Sequence, residues 1–125
     1  MKTELSDGEW TLMQRLWEVP YSTITELTAA MRQSTGWSKH TILSMLARME
    51  AKGAIAYQQS GRAKAWYPLV RQSDAVRKET RRFLNRVYGG SVGLMVNAMA
   101  DSRDLSPEDI AELSRILERA KEERQ

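Results

Sequence analysis

The sequence predicts a mostly α fold with one small β-hairpin, an α+β chain whose strands are confined to its middle. Three observations lead there. Apolar residues recur at helical spacing in six separate stretches, several of them opened by a Ser or Thr suited to capping. Between Gly53 and Pro68 that period gives way to two short runs carrying Ile, Tyr and Trp around Ser60-Gly61. The 125 residues have a hydrophobic content of 42%, which suits one compact domain or a small head with an oligomerising tail.

The first helix is expected over Leu5 to Glu18. Ser6 and Glu9 have the S-x-x-E spacing of a capping box, in which hydroxyl and carboxylate each satisfy an early backbone amide. Trp10, Leu12, Met13, Leu16 and Trp17 give it a broad apolar side, and Val19-Pro20 stops it. Thr23 and Glu26 repeat the capping spacing, so a second short helix runs from Ile24 to about Gln33 and buries Ile24, Leu27 and Met31. Ser34-Thr35-Gly36 breaks it. A third helix follows over Trp37 to Ala51, with Ser38 as N-cap and Gly53 at the left-handed position beyond its end. Two helices joined by a short Gly-containing turn make a helix-turn-helix.

Ala54 to Gln59 and Arg62 to Leu69 are the expected hairpin strands, closed by Pro68. A hairpin after a helix-turn-helix is the wing of a winged helix. Arg71 to Tyr88 reads as a helix with Ser73 as a candidate cap and Val76, Phe83, Leu84 and Val87 on one face. Gly89-Gly90 breaks it. A short apolar helix runs from Ser91 to Ala100, then a loop from Asp101 to Leu105. Ser106 caps the last helix, with Pro107 at its first position and Ile110, Leu113, Ile116 and Leu117 as its stripe.

This order divides the chain into a winged helix-turn-helix head over residues 1–70 and a helical linker and dimerisation region over 71–125. The tail helices are short and carry apolar stripes that one chain cannot bury well. Pairing with a second copy, in a C2 homodimer, solves this. Phe83, Val87, Val92, Met95, Met99, Ile110, Leu113, Ile116 and Leu117 are the expected interface. Charge divides in the same way. Residues 1–70 hold eight Lys/Arg against six Asp/Glu, residues 71–88 six against two, and residues 89–125 five against eight. A cationic front and an acidic tail suit a nucleic-acid-binding head on an interaction tail.

At about 100° per residue, Ile42, Met45, Leu46 and Met49 fall on one side of the third helix, and His40, Thr41, Ser44, Ala47 and Arg48 on the other. Small polar side chains with one long cation are what a groove-reading helix needs: close backbone approach, hydroxyls for base edges, and Arg for guanine or phosphate. Thr41, Ser44 and Arg48, at i, i+3 and i+7, are the leading candidates. Against them, Thr41 is open to a local bond in the first turn, and Arg48 to pairing with Glu50 or Glu26. Ser38, Lys39 and His40 sit at the end that points into the groove in this motif. Arg62 and Lys64 on the wing are candidates for phosphate. The Arg-rich fourth helix can add phosphate contacts or be a solvated linker. The four Trp and seven Met read as core filling.

Other classes lack support. There are no cysteines, a single histidine, no zinc motif and no Gly-rich phosphate loop, so no catalytic site, metal or cofactor is expected. No apolar run of about 18 residues occurs, so no membrane insertion is expected. MKTELSDGEW lacks a signal peptide's apolar segment, so the expected compartment is the cytoplasm. The alternative to DNA binding is a winged helix that binds a protein partner.

LSDGEWTLMQRLW, ITELTAAM, WSKHTILSMLARMEAKGAI, GRAKAWYPLV, FLNRVYGGSVGLMVNAM and LSPEDIAELSRILE, in that order, resemble the BlaI/MecI family of penicillinase and methicillin-resistance repressors. The resemblance implies a dimeric transcriptional repressor of double-stranded DNA, bound to an inverted-repeat operator with TACA/TGTA-like cores. For some members it implies inactivation by proteolysis under a membrane sensor of β-lactams, at a bond that is typically Asn-Phe. The matching stretch here is Met95 to Met99, with Asn97-Ala98 at that bond. A related branch senses copper through C-terminal cysteines, which this chain does not have.

Overall fold

The computed structural model describes residues 4–124; residues 1–3, the start of the polar N-terminal segment, lie outside them. The described residues form α1 (Asp7–Glu18), α2 (Ile24–Met31), α3 (Lys39–Ala51), β1 (Ile55–Ser60), β2 (Ala63–Pro68), α4 (Gln72–Tyr88), α5 (Val92–Asp101) and α6 (Pro107–Glu123). They fall into two compact units that divide between Val76 and Arg77, inside α4.

In the first unit the caps work as the spacing predicts. The Ser6 hydroxyl accepts from the Glu9 amide at 3.2 Å while the Ser6 amide donates to the Glu9 carboxylate at 2.9 Å. Thr23 and Glu26 repeat this at the start of α2. The bond from the Thr23 amide, joined by one from its hydroxyl, holds the Glu26 carboxyl below the usual range. The second helix ends at Met31, two residues short of Gln33. The Met31 carbonyl accepts from the Thr35 amide at 2.9 Å and the Thr35 hydroxyl at 2.8 Å, which turns the chain early.

Leu12, Met13 and Leu16 of α1 meet Leu27 and Met31 of α2 and Ile42, Met45, Leu46 and Met49 of α3, with Ile55 and Trp66 closing the core from the hairpin. Truncating a fully buried leucine such as Leu46 costs on the order of 2–5 kcal/mol. Gly8 lets α1 approach α3: a methyl there would meet Met45 Sδ at 3.0 Å and lie against the Trp37 ring.

The hairpin is antiparallel, with Ser60 opposite Ala63 and Ile55 opposite Pro68. Its two-residue turn starts at Gly61 with φ +63°, a left-handed position glycine takes without steric cost. Trp17 Nε1 donates to the Val70 carbonyl at 3.0 Å and ties the exit of the wing to α1.

The second unit holds most of α4 with α5 and α6. Ser73, a candidate cap, lies instead inside the first turn of α4, which begins at Gln72. Ser91 caps α5, which runs on through Asp101, so the loop expected from that residue is shorter. Ser106 and Asp109 cap α6 reciprocally, at 3.1 and 3.0 Å. No described residue of α4, α5 or α6 is buried.

Candidate nucleic-acid interface

The candidate site is built on α3. Ser38 ends the preceding turn in an extended conformation, and its hydroxyl accepts from the Thr41 amide at 3.2 Å. The helix stops at Gly53, whose φ of +78° is left-handed and whose amide bonds back to the Glu50 carbonyl. The predicted two faces are present. Ile42, Met45, Leu46 and Met49 are buried, while Lys39, His40, Thr41, Ala47 and Arg48 are exposed and Ser44 is half-buried.

Two contacts change the reading of individual side chains. The Thr41 and Ser38 hydroxyls lie 3.1 Å apart, so the local first-turn bond exists in the isolated chain. Arg48 does not pair with Glu50 or Glu26. Its Nε donates to Glu9 Oε2 at 3.2 Å, because α1 packs beside α3 and brings that carboxylate to the edge of the polar face. Lys52 Nζ donates to Glu9 Oε1 and to the Glu4 carbonyl, the latter at 2.8 Å. Glu9 itself is fully buried. Burial alone raises its carboxyl, but the bonds from Lys52, the Ser6 amide and Arg48 outweigh it and hold the group below its ordinary range.

Glu9 and Lys52 were absent from the sequence-derived site. The signal was available: on the helical wheel Glu9 sits between Leu12, Met13 and Leu16, a carboxylate in the middle of an apolar stripe, but capping alone explained it. Leu43 was also missed. It is 41% exposed and lies beside His40 and Ala47 on the outward side of α3.

On the wing, Gln58, Gln59 and Arg62 are exposed. Lys64 is exposed too, with its Nζ 4.3 Å from the centre of the Tyr57 ring. Tyr57 and Trp66 face each other across the strands at 5.1 Å, so the cation rides on an aromatic pair.

In the second unit Phe83, Val87, Val92, Met99, Ile110, Ile116 and Leu117 are exposed in the single chain, and Met95 and Leu113 are half-buried. Asn97 and Ala98 lie in the middle of α5, and the Ala98 carbonyl accepts from both the amide and the hydroxyl of Ser102.

The family model for the penicillinase repressor matches residues 5–119. The chain belongs to the penicillinase repressor family. It is 33% identical over 118 residues to the penicillinase repressor of Bacillus licheniformis, covering 94% of this chain and 92% of that one. To the methicillin resistance regulatory protein MecI of Staphylococcus aureus (strain N315) it is 31% identical over 114 residues, covering 91% and 93%. Among solved structures it is similar to the DNA-binding domain of the repressor BlaI, with a TM-score of 0.53 and 30% identity over 59% of this chain and 93% of that one. It is also similar to a monomeric form of Bacillus licheniformis BlaI in complex with the blaP half-operator, with a TM-score of 0.50, 30% identity, and coverage of 57% and 87%. Penicillinase repressors are regulators rather than enzymes, and the first unit of this family member is a winged helix.

Proposed function

We propose that the chain is a DNA-binding transcriptional repressor that acts as a homodimer on an inverted-repeat operator. One observation carries it: α3 keeps a face of small polar residues and cations uncovered while its opposite face is buried, in a chain similar to a repressor bound to its half-operator. The same likeness disfavours a winged helix that binds only protein.

In this reading α3 enters the major groove. Thr41 and Ser44 offer hydroxyls to base edges and Arg48 offers its fork to guanine or phosphate. Leu43 and Ala47 supply the apolar contact that a thymine methyl takes. Ser38, Lys39, His40, Arg62 and Lys64 hold backbone phosphates and so set register rather than sequence. Residues 1–70 are the DNA-binding part, and residues 71–125 pair two copies through the apolar residues of α4, α5 and α6. Among the described residues no helix is long and apolar enough to cross a membrane, and the repressor works where the DNA is, in the cytoplasm. Release by a sensor-controlled protease would fall at Asn97-Ala98. That bond lies within α5, so cutting requires the helix to open locally.

Selection of bound fragments from the source genome by the full chain, at near-physiological salt, tests the proposal. The expected product is a short inverted repeat, bound with an affinity that falls linearly on a log–log plot against salt as counterions are released. Absence of any enriched sequence would overturn it.

A further inference from the structure

The established reading of Glu9 is a cap on α1. Its surroundings exceed what a cap needs. A capping acceptor sits at a helix end, commonly in contact with water, and a neutral glutamine serves as well as a glutamate. Glu9 is instead fully buried, at the centre of the stripe that packs α1 on the core, and takes three partners: the Ser6 amide, Lys52 Nζ and Arg48 Nε. A buried charge of this kind is poorly explained by stability, since a well-packed apolar residue does as well or better.

What the arrangement does is fix a cation. Arg48 is bonded through Nε alone among the described residues, and its side chain remains 57% exposed. A guanidinium has five N–H donors, so four are left over in a group tethered to Glu9 at one of them. Arg48 lies on the outward face of α3 with Ser44 and Thr41. Lys52, one turn further on, holds the other carboxylate oxygen and leaves Oε2 to Arg48.

We propose that Glu9 is a positioning residue for operator recognition, holding Arg48 by its Nε so that the rest of the guanidinium meets DNA already oriented. The inference rests on the DNA-binding reading above. It assigns to α1 a part in sequence recognition, although α1 contributes no candidate DNA contact of its own. Pre-setting a long side chain removes the entropy cost of ordering it on binding. The effect is confined to the correct sequence, where the orientation of the fork matters, because a non-specific duplex is held by charge alone.

Glu9→Gln in the full chain separates this from a structural role. The Gln oxygen retains the Ser6 and Lys52 bonds, which places its amide group against the Arg48 donor, so Arg48 is the partner released. Binding is measured to the selected operator and to a scrambled duplex of equal length, with thermal unfolding followed in parallel. Operator affinity is expected to fall about tenfold, while scrambled-duplex affinity holds or rises because a negative charge has gone. In an Arg48→Ala background the operator effect of Glu9→Gln should vanish. An equal loss on both duplexes, or a loss that persists without Arg48, would overturn the proposal. Should Glu9→Gln not fold, Glu9→Asp decides: the shorter side chain keeps the charge but draws its carboxylate back from Arg48 Nε, so operator affinity should fall while scrambled-duplex affinity holds, and retained operator affinity would refute the inference. Failure of the unaltered chain to bind the operator is a separate result that removes the DNA-binding reading itself.

Discussion

Ser22 and Trp66 exchange both of their backbone hydrogen bonds, Ser22 N to Trp66 O at 3.1 Å and Trp66 N to Ser22 O at 2.8 Å. This one-residue antiparallel bridge ties the turn after α1 to the second strand of the wing. It also fixes the chain at Tyr21, which lies at φ +63° with its ring 4.9 Å from that of Tyr67. A left-handed tyrosine costs about 1–2 kcal/mol, and the ring pair returns about 0.5–1.5 kcal/mol. Tyr21→Gly loses the ring and relieves the backbone, so it should unfold near the parent midpoint in urea. Tyr21→Ala loses the ring and keeps the strain, and should be less stable than the glycine variant by about 1 kcal/mol. An alanine variant as stable as the glycine one would mean that the bridge imposes no strain.

Glu9 makes the head sensitive to acid. Its carboxyl titrates below the usual range in the folded chain, behind burial that is overcome by Lys52, Ser6 and Arg48. The unfolded chain therefore binds this proton first. The stabilisation is fully present above the ordinary Glu value of about 4.3 and is lost as pH falls through the lowered one. Glu9→Gln should flatten that part of the stability curve and leave the slope above pH ~5 unchanged. Parallel acid limbs in parent and variant would show that Glu9 contributes no linkage.

Leu43 provides a chemical test of which bases α3 faces. In the proposed docking Leu43 meets a thymine methyl; replacing that thymine by deoxyuridine removes one methyl group, worth about 0.8 kcal/mol when buried, or roughly fourfold in affinity. Scanning each operator thymine in this way should find one position with that loss. Leu43→Ala should abolish the loss there and not at other positions. If no thymine responds, Leu43 does not touch a base.

In the proposed homodimer the tail is the interface, so a charge placed on its apolar stripe should separate the two copies. Leu117 is 66% exposed and its substitution disturbs no buried packing within the chain. Leu117→Asp should therefore sediment as a monomer with α-helix content retained, and should bind a two-half-site operator with most of the dimer's affinity gone, because the second half-site is no longer captured at high effective concentration. Leu113→Asp should behave alike. Variants that still sediment as dimers would place the interface elsewhere.

Local chemistry was legible in the sequence wherever the partners are close along the chain. The capping pairs Ser6/Glu9 and Thr23/Glu26 are three residues apart, and the α3 stripe of Ile42, Met45, Leu46 and Met49 follows from the helical period. The hairpin turn is local too, but it falls at Gly61-Arg62, one residue beyond the expected Ser60-Gly61, because Ser60 still pairs with Ala63. Arg48 could be placed on the outward face by the same period, and its partner could not. The nearest carboxylates in sequence, Glu50 and Glu26, were the natural candidates, whereas Glu9 is separated from it by 39 residues.

Taken alone, the sequence determined the order of helices and hairpin and which side of α3 faces outward, because each depends on periodicity and on contacts a few residues long; the family rested instead on the resemblance of its motifs, in order along the chain. Tertiary structure decided what Arg48 and Lys52 hold, where the wing is fastened through Ser22 and Trp66, and that Tyr21 is left-handed. Those depend on which surfaces α1 and β2 present once packed. Only closure of the core brings residues distant in the chain within hydrogen-bonding reach.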